Sequence, residues 1–334
     1  MLSDRTLRLL ACPYDQRPLV AYSGALVCDR GHRYPLIEEI PILLRDDVEH
    51  THWAADLSIV AARAGAALDH WADPQPTDRV HPFVQEAIAA TGGLMFRPVL
   101  RRLTRYPIPE IPLDAGHGRT VIDVGCNWGR WTIAAARRGY HAIGVDPSLE
   151  ALLAARHVCA RLGIAADFVI ADARHLPFRS ASTDAAFSYS VIQHFSKRDA
   201  QQAVAEIGRV LTDGGQAVVQ MPNTFGLRCL FHQAKRGFRE ARDFEVRYWS
   251  PGELRRTFER AVGPARLSVD GFFSLNAQPA EASFLPAHYR LLVRTSAALT
   301  RLANAVPPLV MIADSLYVTA TRRPDATAST EAAW

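Results

Sequence analysis

Long apolar runs are missing from this 334-residue chain: none approaches the roughly 18 residues that a membrane-crossing helix requires. The N-terminal MLSDRTLRLLACP carries Asp4, a short apolar run and no cleavage-like site, so it does not read as a signal peptide. Cysteine is scarce. Five are present, an odd number widely scattered, which argues against a disulfide framework and for a reducing compartment. Excess charge is also lacking: 38 Lys and Arg stand against 34 Asp and Glu, a net +4, milder than in histones and other obligate nucleic-acid binders. These absences predict a cytoplasmic protein. What is present is apolar substance, 49% of residues, enough for a sizeable core in one full α/β domain with an appendage or two.

The stretch that organises the chain is Thr120 to Ala136, TVIDVGCNWGRWTIAAA. Val121, Ile122 and Val124 suit a buried parallel strand. Gly125-Cys126-Asn127-Trp128-Gly129 breaks it, and Trp131 to Arg137 holds good helix formers. A βα unit of this kind is expected to present free backbone N–H groups at the helix N-terminus to a ligand, with Gly125 and Gly129 allowing close approach. His141 to Asp146 reads as a second strand ending in an acid, Phe168 to Asp172 as a third, and Ala185 to Ser190 as a fourth. Asp199 to Leu211 forms a helix, Gln216 to Met221 a fifth strand, Arg266 to Phe272 a sixth and Ser315 to Thr321 an antiparallel seventh. Ser250 and Glu253 make a capping box at the start of a further helix.

The pattern Asp123-x-Gly125-x-Asn127-x-Gly129 resembles motif I of class I S-adenosylmethionine (SAM) methyltransferases, with Asn127 where that family has a glycine. Asparagine tolerates the left-handed region, so the turn should survive. Arg130 breaks the GxGxxG fingerprint of dinucleotide dehydrogenases. The resemblance covers about 120–270. It implies a Rossmann-like α/β fold with a seven-stranded sheet in the order 3-2-1-4-5-7-6, last strand antiparallel. It further implies that Asp146 accepts from both ribose hydroxyls of SAM and that Asp172 meets the adenine amino group. Asp123, Gly125, Cys126, Asn127, Trp128, Gly129, Pro147, Ala173, Ser190 and Gln193 complete the expected cofactor set. His194, just past the fourth strand, is the candidate catalytic base or substrate anchor, histidine being easily tuned near neutral pH. Tyr189, Gln193 and His232 are lesser candidates, and packing at a helix start is the bland alternative for His194.

Upstream, Cys12-x-x-Asp15 and Cys28-x-x-x-His32 have the spacing of a zinc ribbon. The segment resembles the small zinc-ribbon family of tRNA-methyltransferase activators, including Tyr34-Pro35 and Ile40 to Leu44, and the N-terminal ribbon of certain rRNA guanine methyltransferases. Those families usually carry cysteine at the position of Asp15, so a metal-free packing module competes with Zn2+ held by Cys12, Asp15, Cys28 and His32. Strands are expected at Ala25 to Val27 and Pro41 to Leu44. Leu57 to Leu68 is alanine-rich and falls in a helical, irregular stretch. A helix starting at His81 is expected to end at Gly92-Gly93. Met95 to Tyr106 places Arg97, Arg101, Arg102 and Arg105 on roughly one helical face.

These readings divide the chain into a ribbon-like module at 1–48, a helical lid or linker at 49–115, a methyltransferase domain at 116–322 and a disordered tail at 323–334. Insertions interrupt the domain at 223–247, where basic residues alternate with aromatics, and at 273–314, which carries an amphipathic stretch from Tyr289 to Ala305. The expected activity is SAM-dependent methyl transfer to a small-molecule, glycan or lipid-linked acceptor, at oxygen. An RNA methyltransferase presenting rRNA or tRNA on the ribbon is the alternative, and a non-catalytic SAM-binding protein the second. A peripheral membrane contact is a further expectation, and either a monomer or a homodimer would suit. The signatures of N6-adenine and cytosine-C5 methyltransferases are absent.

Overall fold

The structure, a computed structural model, describes residues 2–65, 79–91 and 95–324. A short helix α1 (Asp4–Leu9), capped by Ser3, leads into a four-stranded antiparallel sheet, β1 (Val20–Tyr22), β2 (Ala25–Val27), β3 (Arg33–Ile37) and β4 (Ile40–Pro41). Helices α2 (Ala54–Ala64) and α3 (Pro82–Thr91) follow. The main unit then alternates as the β-branched runs predict: β5 (Thr120–Val124), α4 (Arg130–Arg137), β6 (His141–Asp146), α5 (Leu149–Leu162), β7 (Asp167–Ile170), β8 (Thr183–Tyr189), α6 (Lys197–Val210) and β9 (Leu211–Pro222). It continues with α7 (Leu227–Lys235), α8 (Pro251–Ala261), β10 (Ala265–Gly271), α9 (Ala287–Ala305) and β11 (Ser315–Thr321).

Seven strands lie in the order β7-β6-β5-β8-β9-β11-β10, the first five parallel and β11 antiparallel to both neighbours. That is the order the resemblance implies. The chain winds outward from β5 to β7 and then crosses to β8 on the other side. The crevice at the carboxyl ends of β5 and β8 is therefore the switch point where open α/β sheets bind ligands. Val121, Ile122, Ile143, Val169 and Phe187 are fully buried, as strands covered on both faces require. The capping box at Ser250 and Glu253 is formed as expected.

The ribbon packs on the sheet rather than standing apart. Ile42 bridges Ile170 in parallel, Leu43 N–H donates to the Ile170 carbonyl at 2.8 Å, and Leu10 bridges Phe178. Leu10, Leu19, Leu26 and Leu43 share one core with Val169 and Phe178. The unit covers edge strand β7, whose open backbone groups would otherwise invite pairing with another chain.

Three expectations change. Met95–Tyr106 is not an α-helix but turns and a single 3-10 turn at Leu100–Arg102, because Pro98 removes a backbone donor inside the stretch. The four arginines are exposed there, with Arg105 over the Phe284 ring at 5.4 Å. Strand β4 stops at Pro41, since Ile42 and Leu43 turn to β7 instead. Strand β9 starts at Leu211 rather than Gln216, with a register shift against β8 absorbing Thr212 to Gly215. The expected helix end at Gly92-Gly93, the far end of Leu57 to Leu68, and the tail from 325 lie outside the described residues. No helix among the described residues is long and apolar enough to cross a membrane.

Candidate active site

The glycine turn joins β5 to α4 with Gly125, Asn127 and Gly129 all at positive φ, 79°, 47° and 80°. Asn127 fits because its own side-chain oxygen accepts from Trp128 N–H at 2.8 Å, closing the turn in a way glycine cannot. A Cβ on Gly125 would lie 2.2 Å from a Val191 methyl, so the side chain after β8 seats directly on this glycine. Cys126 and Trp128 are buried at 2% and 1% exposure, so only their backbone can face a ligand.

The N–H groups of the turn itself are engaged, while at the start of α4, where the expectation placed free donors, Gly129 supplies no side-chain cap. Gly125 and Cys126 donate to the Val145 carbonyl, Asn127 to Asp146, Trp128 to Asn127 and Gly129 to the Cys126 carbonyl. The turn itself offers shape.

Asp146 is the strongest candidate for a ligand-binding group. Oδ2 accepts from Asn127 N–H at 2.9 Å and Oδ1 from Ser148 N–H at 3.0 Å. Each carboxylate oxygen keeps one further acceptor position, which suits a pair of ribose hydroxyls. Burial raises its pKa to about 6, against the pull of the two backbone bonds. Pro147 is half-buried, and its carbonyl accepts from Ser58 at 2.7 Å, while Ser58 Oγ accepts from Leu149 N–H. Helix α2 is thereby tied across the end of β6. Asp123 is wholly buried beneath the turn. Thr132 donates to Oδ2 at 2.7 Å, Oδ1 has no partner, and burial pushes the carboxyl up to about 7.

Asp172 is differently engaged. Arg174 grips both oxygens through Nε and Nη2, and His50 Nδ1 lies 3.5 Å away. Burial opposes ionisation, yet His50 and Arg174 hold the carboxyl well below the usual carboxylate range. Arg174 also donates to the Glu49 carbonyl at 2.7 Å. As arranged, Asp172 anchors the 49–50 segment over β7, with both oxygens engaged by Arg174. Ala173 beside it is buried.

His194 lies in a 3-10 turn, Ile192–His194, after β8. Its ring stacks on Phe244 at 4.0 Å with an interplanar angle of 1°, and Nδ1 lies 2.7 Å from the Phe244 carbonyl. A carbonyl only accepts, so Nδ1 carries the proton and Nε2 is left basic, 3.3 Å from the Gln193 amide nitrogen. Burial lowers its pKa beneath the ordinary imidazole range, the Phe244 bond opposing. The ring of His52, from the segment leading into α2, meets the edge of Phe244 at 4.9 Å. Ser190, at φ 60°, donates through N–H and Oγ to Gln220, which reaches Ser315 and then Asp270. Tyr189 donates to Asp270 at 3.1 Å. His232 is exposed on α7.

The structure thus gathers Gly125, Asn127, Asp146, Ser190, Gln193 and His194 around the switch point through their own and their neighbours' bonds. His50, His52, Arg174, Phe244 and Asp270 were missed. Arg174 had a signal, an opposite charge two residues from Asp172, whereas the others meet only through long-range packing.

In the ribbon, the donor atoms of Cys12, Asp15, Cys28 and His32 all lie within 4.8 Å of one another. His32 Nδ1 is 3.4 Å from Cys12 Sγ, 3.3 Å from Cys28 Sγ and 3.3 Å from Asp15 Oδ2, and Cys28 Sγ to Asp15 Oδ2 is 3.8 Å. Tetrahedral zinc, with bonds of about 2.0–2.3 Å, spaces its ligand atoms by about 3.3–3.8 Å. These four separations fall in that range.

Residues 121–215 match the profile of the family described as a methyltransferase domain. The bifunctional biotin biosynthesis protein BioHC of Cellvibrio japonicus is 36% identical over 235 residues, 64% of this chain and 44% of its own. The mouse tRNA (carboxymethyluridine(34)-5-O)-methyltransferase ALKBH8 is 32% identical over 103 residues, 30% of this chain and 14% of its own. The chain therefore spans less than half the length of either relative. Among solved structures, the complex containing the Haloferax volcanii Trm112 methyltransferase activator aligns at TM-score 0.45 and 18% identity, over 72% of this chain and 94% of that one.

Proposed function

We propose that this chain, whose residues 121–215 form a methyltransferase domain of the class I SAM-dependent kind, moves a methyl group to a small-molecule, glycan or lipid-linked acceptor, at oxygen. SAM supplies an electrophilic methyl on sulfur. Asp146 would hold its ribose through the two acceptor positions left free, and Gly125 with Val191 would shape the floor of the site. The observation that carries the reading is the proton placement on His194. With Nδ1–H fixed on Phe244, Nε2 is left as the acceptor nitrogen; it takes the Gln193 amide N–H, and a substrate hydroxyl would have to replace that amide before its proton passes to Nε2 as oxygen attacks.

An RNA acceptor is disfavoured by how three arginines at the far end of the basic insertion are used. Arg239 pairs with Glu245 at 2.7 Å, Arg236 donates to the Val246 carbonyl, and Arg247 holds the carbonyls of His194 and Glu245. These guanidiniums brace the loop rather than await phosphates.

Calorimetry tests the cofactor half. Micromolar affinity for SAM or S-adenosylhomocysteine, about −8 kcal/mol, is expected. Asp146→Asn should weaken it tenfold or more, about 1.4 kcal/mol. Because the ribose hydroxyls need the ionised carboxylate, affinity should be flat above pH 6 and fall below it, as binding must then expel a proton. Tight NADH binding without SAM binding would overturn the reading.

For the ribbon we propose zinc. Metal analysis of the purified chain should find about one equivalent, lost in Cys28→Ser; none in protein made with ample zinc would leave a packing module.

A further inference from the structure

Helix α7 is turned inside out for a soluble protein. Leu227, Leu230 and Phe231 follow the i, i+3, i+4 spacing of one face, yet they are 63%, 39% and 61% exposed, while Cys229 faces inward. The helix is fixed in this orientation. Asp314 Oδ1 accepts from Arg228 and Cys229 N–H, and Asn223 Nδ2 donates to the carbonyls of Met311 and Ala313. Through Asn223 and Asp314 these bonds tie the start of α7 to the segment carrying the 3-10 turn Pro307–Ile312, where Met311 and Ile312 are exposed, as is Phe225 just before the helix.

An exposed apolar helix face rimmed by charge marks an interaction site. The rim here is cationic: Arg228, His232 and Lys235 share α7 with the stripe, and neither Arg228 nor Lys235 has an ion-pair partner among the described residues. We propose that α7 and the neighbouring 3-10 turn form a docking face for an anionic lipid bilayer, the apolar stripe entering the headgroup boundary and the cations meeting acidic headgroups. An amphipathic helix with basic flanks binds membranes in this way. A second copy fits worse, because a two-fold contact through the stripe sets each cationic rim beside another. The face starts where β9 ends, at the edge of the sheet that bears His194, and the same insertion supplies Phe244. Docking does not depend on the methyl-transfer reading, so the two can fail separately.

Sedimentation of the full chain with vesicles tests it. Binding is expected to vesicles of phosphatidylcholine mixed with phosphatidylglycerol and not to phosphatidylcholine alone, weakening as salt rises. Phe231→Asp and Leu230→Asp should each reduce binding at least tenfold, and Arg228→Ala with Lys235→Ala should weaken it less. All four side chains are exposed, so circular dichroism and thermal melting should be unchanged. The proposal is overturned by absence of vesicle binding in a folded chain, by equal binding to neutral vesicles, or by binding indifferent to Phe231→Asp. Self-association abolished by Phe231→Asp without vesicle binding would assign the face to a second copy. Sub-micromolar RNA binding at physiological salt, lost in the Arg228 and Lys235 variants and with no vesicle binding, would assign it to nucleic acid.

Discussion

His194→Ala is expected to lower kcat about a hundredfold or more, the range set by removing a positioned general base, while leaving SAM affinity unchanged. The side chain bonds Phe244 and Gln193 and makes none of the bonds that hold Asp146 or the glycine turn. His194→Gln should be nearly as slow, since an amide cannot take a proton. The pH profile gives the second readout. Burial holds the imidazole below its ordinary value of about 6.5, and only the neutral ring accepts a proton, so activity should stay level through neutrality and fall on an acid limb below 6.5. The catalytic assignment fails if the alanine variant keeps wild-type turnover. If SAM binding falls with kcat instead, the ring is a structural wedge at the helix start.

The second large effect concerns stability. Glu281, fully buried in the second insertion, sets both carboxylate oxygens 3.1 Å from Arg130 Nη2 at the first turn of α4. Burial raises the carboxyl's pKa, Arg130 opposing, and the guanidinium also lies over the Trp131 ring at 5.2 Å. Glu281→Ala strands a nearly buried cation, which costs about 3–5 kcal/mol. For a chain of this size that is a melting temperature lower by about 4–7 °C. Replacing both partners with methionine should recover most of the loss, because two apolar side chains need no partner. A single-variant shift of less than about 2 °C would mean that the pair does not fasten the insertion to the cofactor turn.

The sheet was legible because each strand ends in its own punctuation: Val124 before glycine, Val145 before Asp146, Ile170 before Asp172. Strand order and the capping box at Ser250 follow from such local signals. The residues proposed for the site could be placed at strand ends from sequence, but their bonding partners could not. The acid at 172 is present, yet Arg174 occupies it, and the N–H groups of the turn are taken by Val145 and Asp146. Those outcomes depend on which partner is nearest in space. Phe244 meets His194 across 50 residues and His52 meets Phe244 across 192, so no window of sequence holds either contact. Met95 to Tyr106 misled because arginine spacing outweighed Pro98. The outward stripe of α7 read as interleaved aromatics, since which face turns to water is decided by Asp314, more than 80 residues on.

The way the ribbon seals β7 sets an order of assembly. Ser3 and Thr6 bond Asp167, and Leu43 bonds Ile170, so the first 45 residues find their seat only on a strand that follows them by more than 120 residues. During synthesis at roughly 5–20 residues per second, that seat appears several seconds after the ribbon has left the ribosome. A unit of this size lacks the core to hold itself meanwhile. Its strands therefore cannot dock until β7 has been made, and the chain's beginning closes onto its middle only after that strand exists.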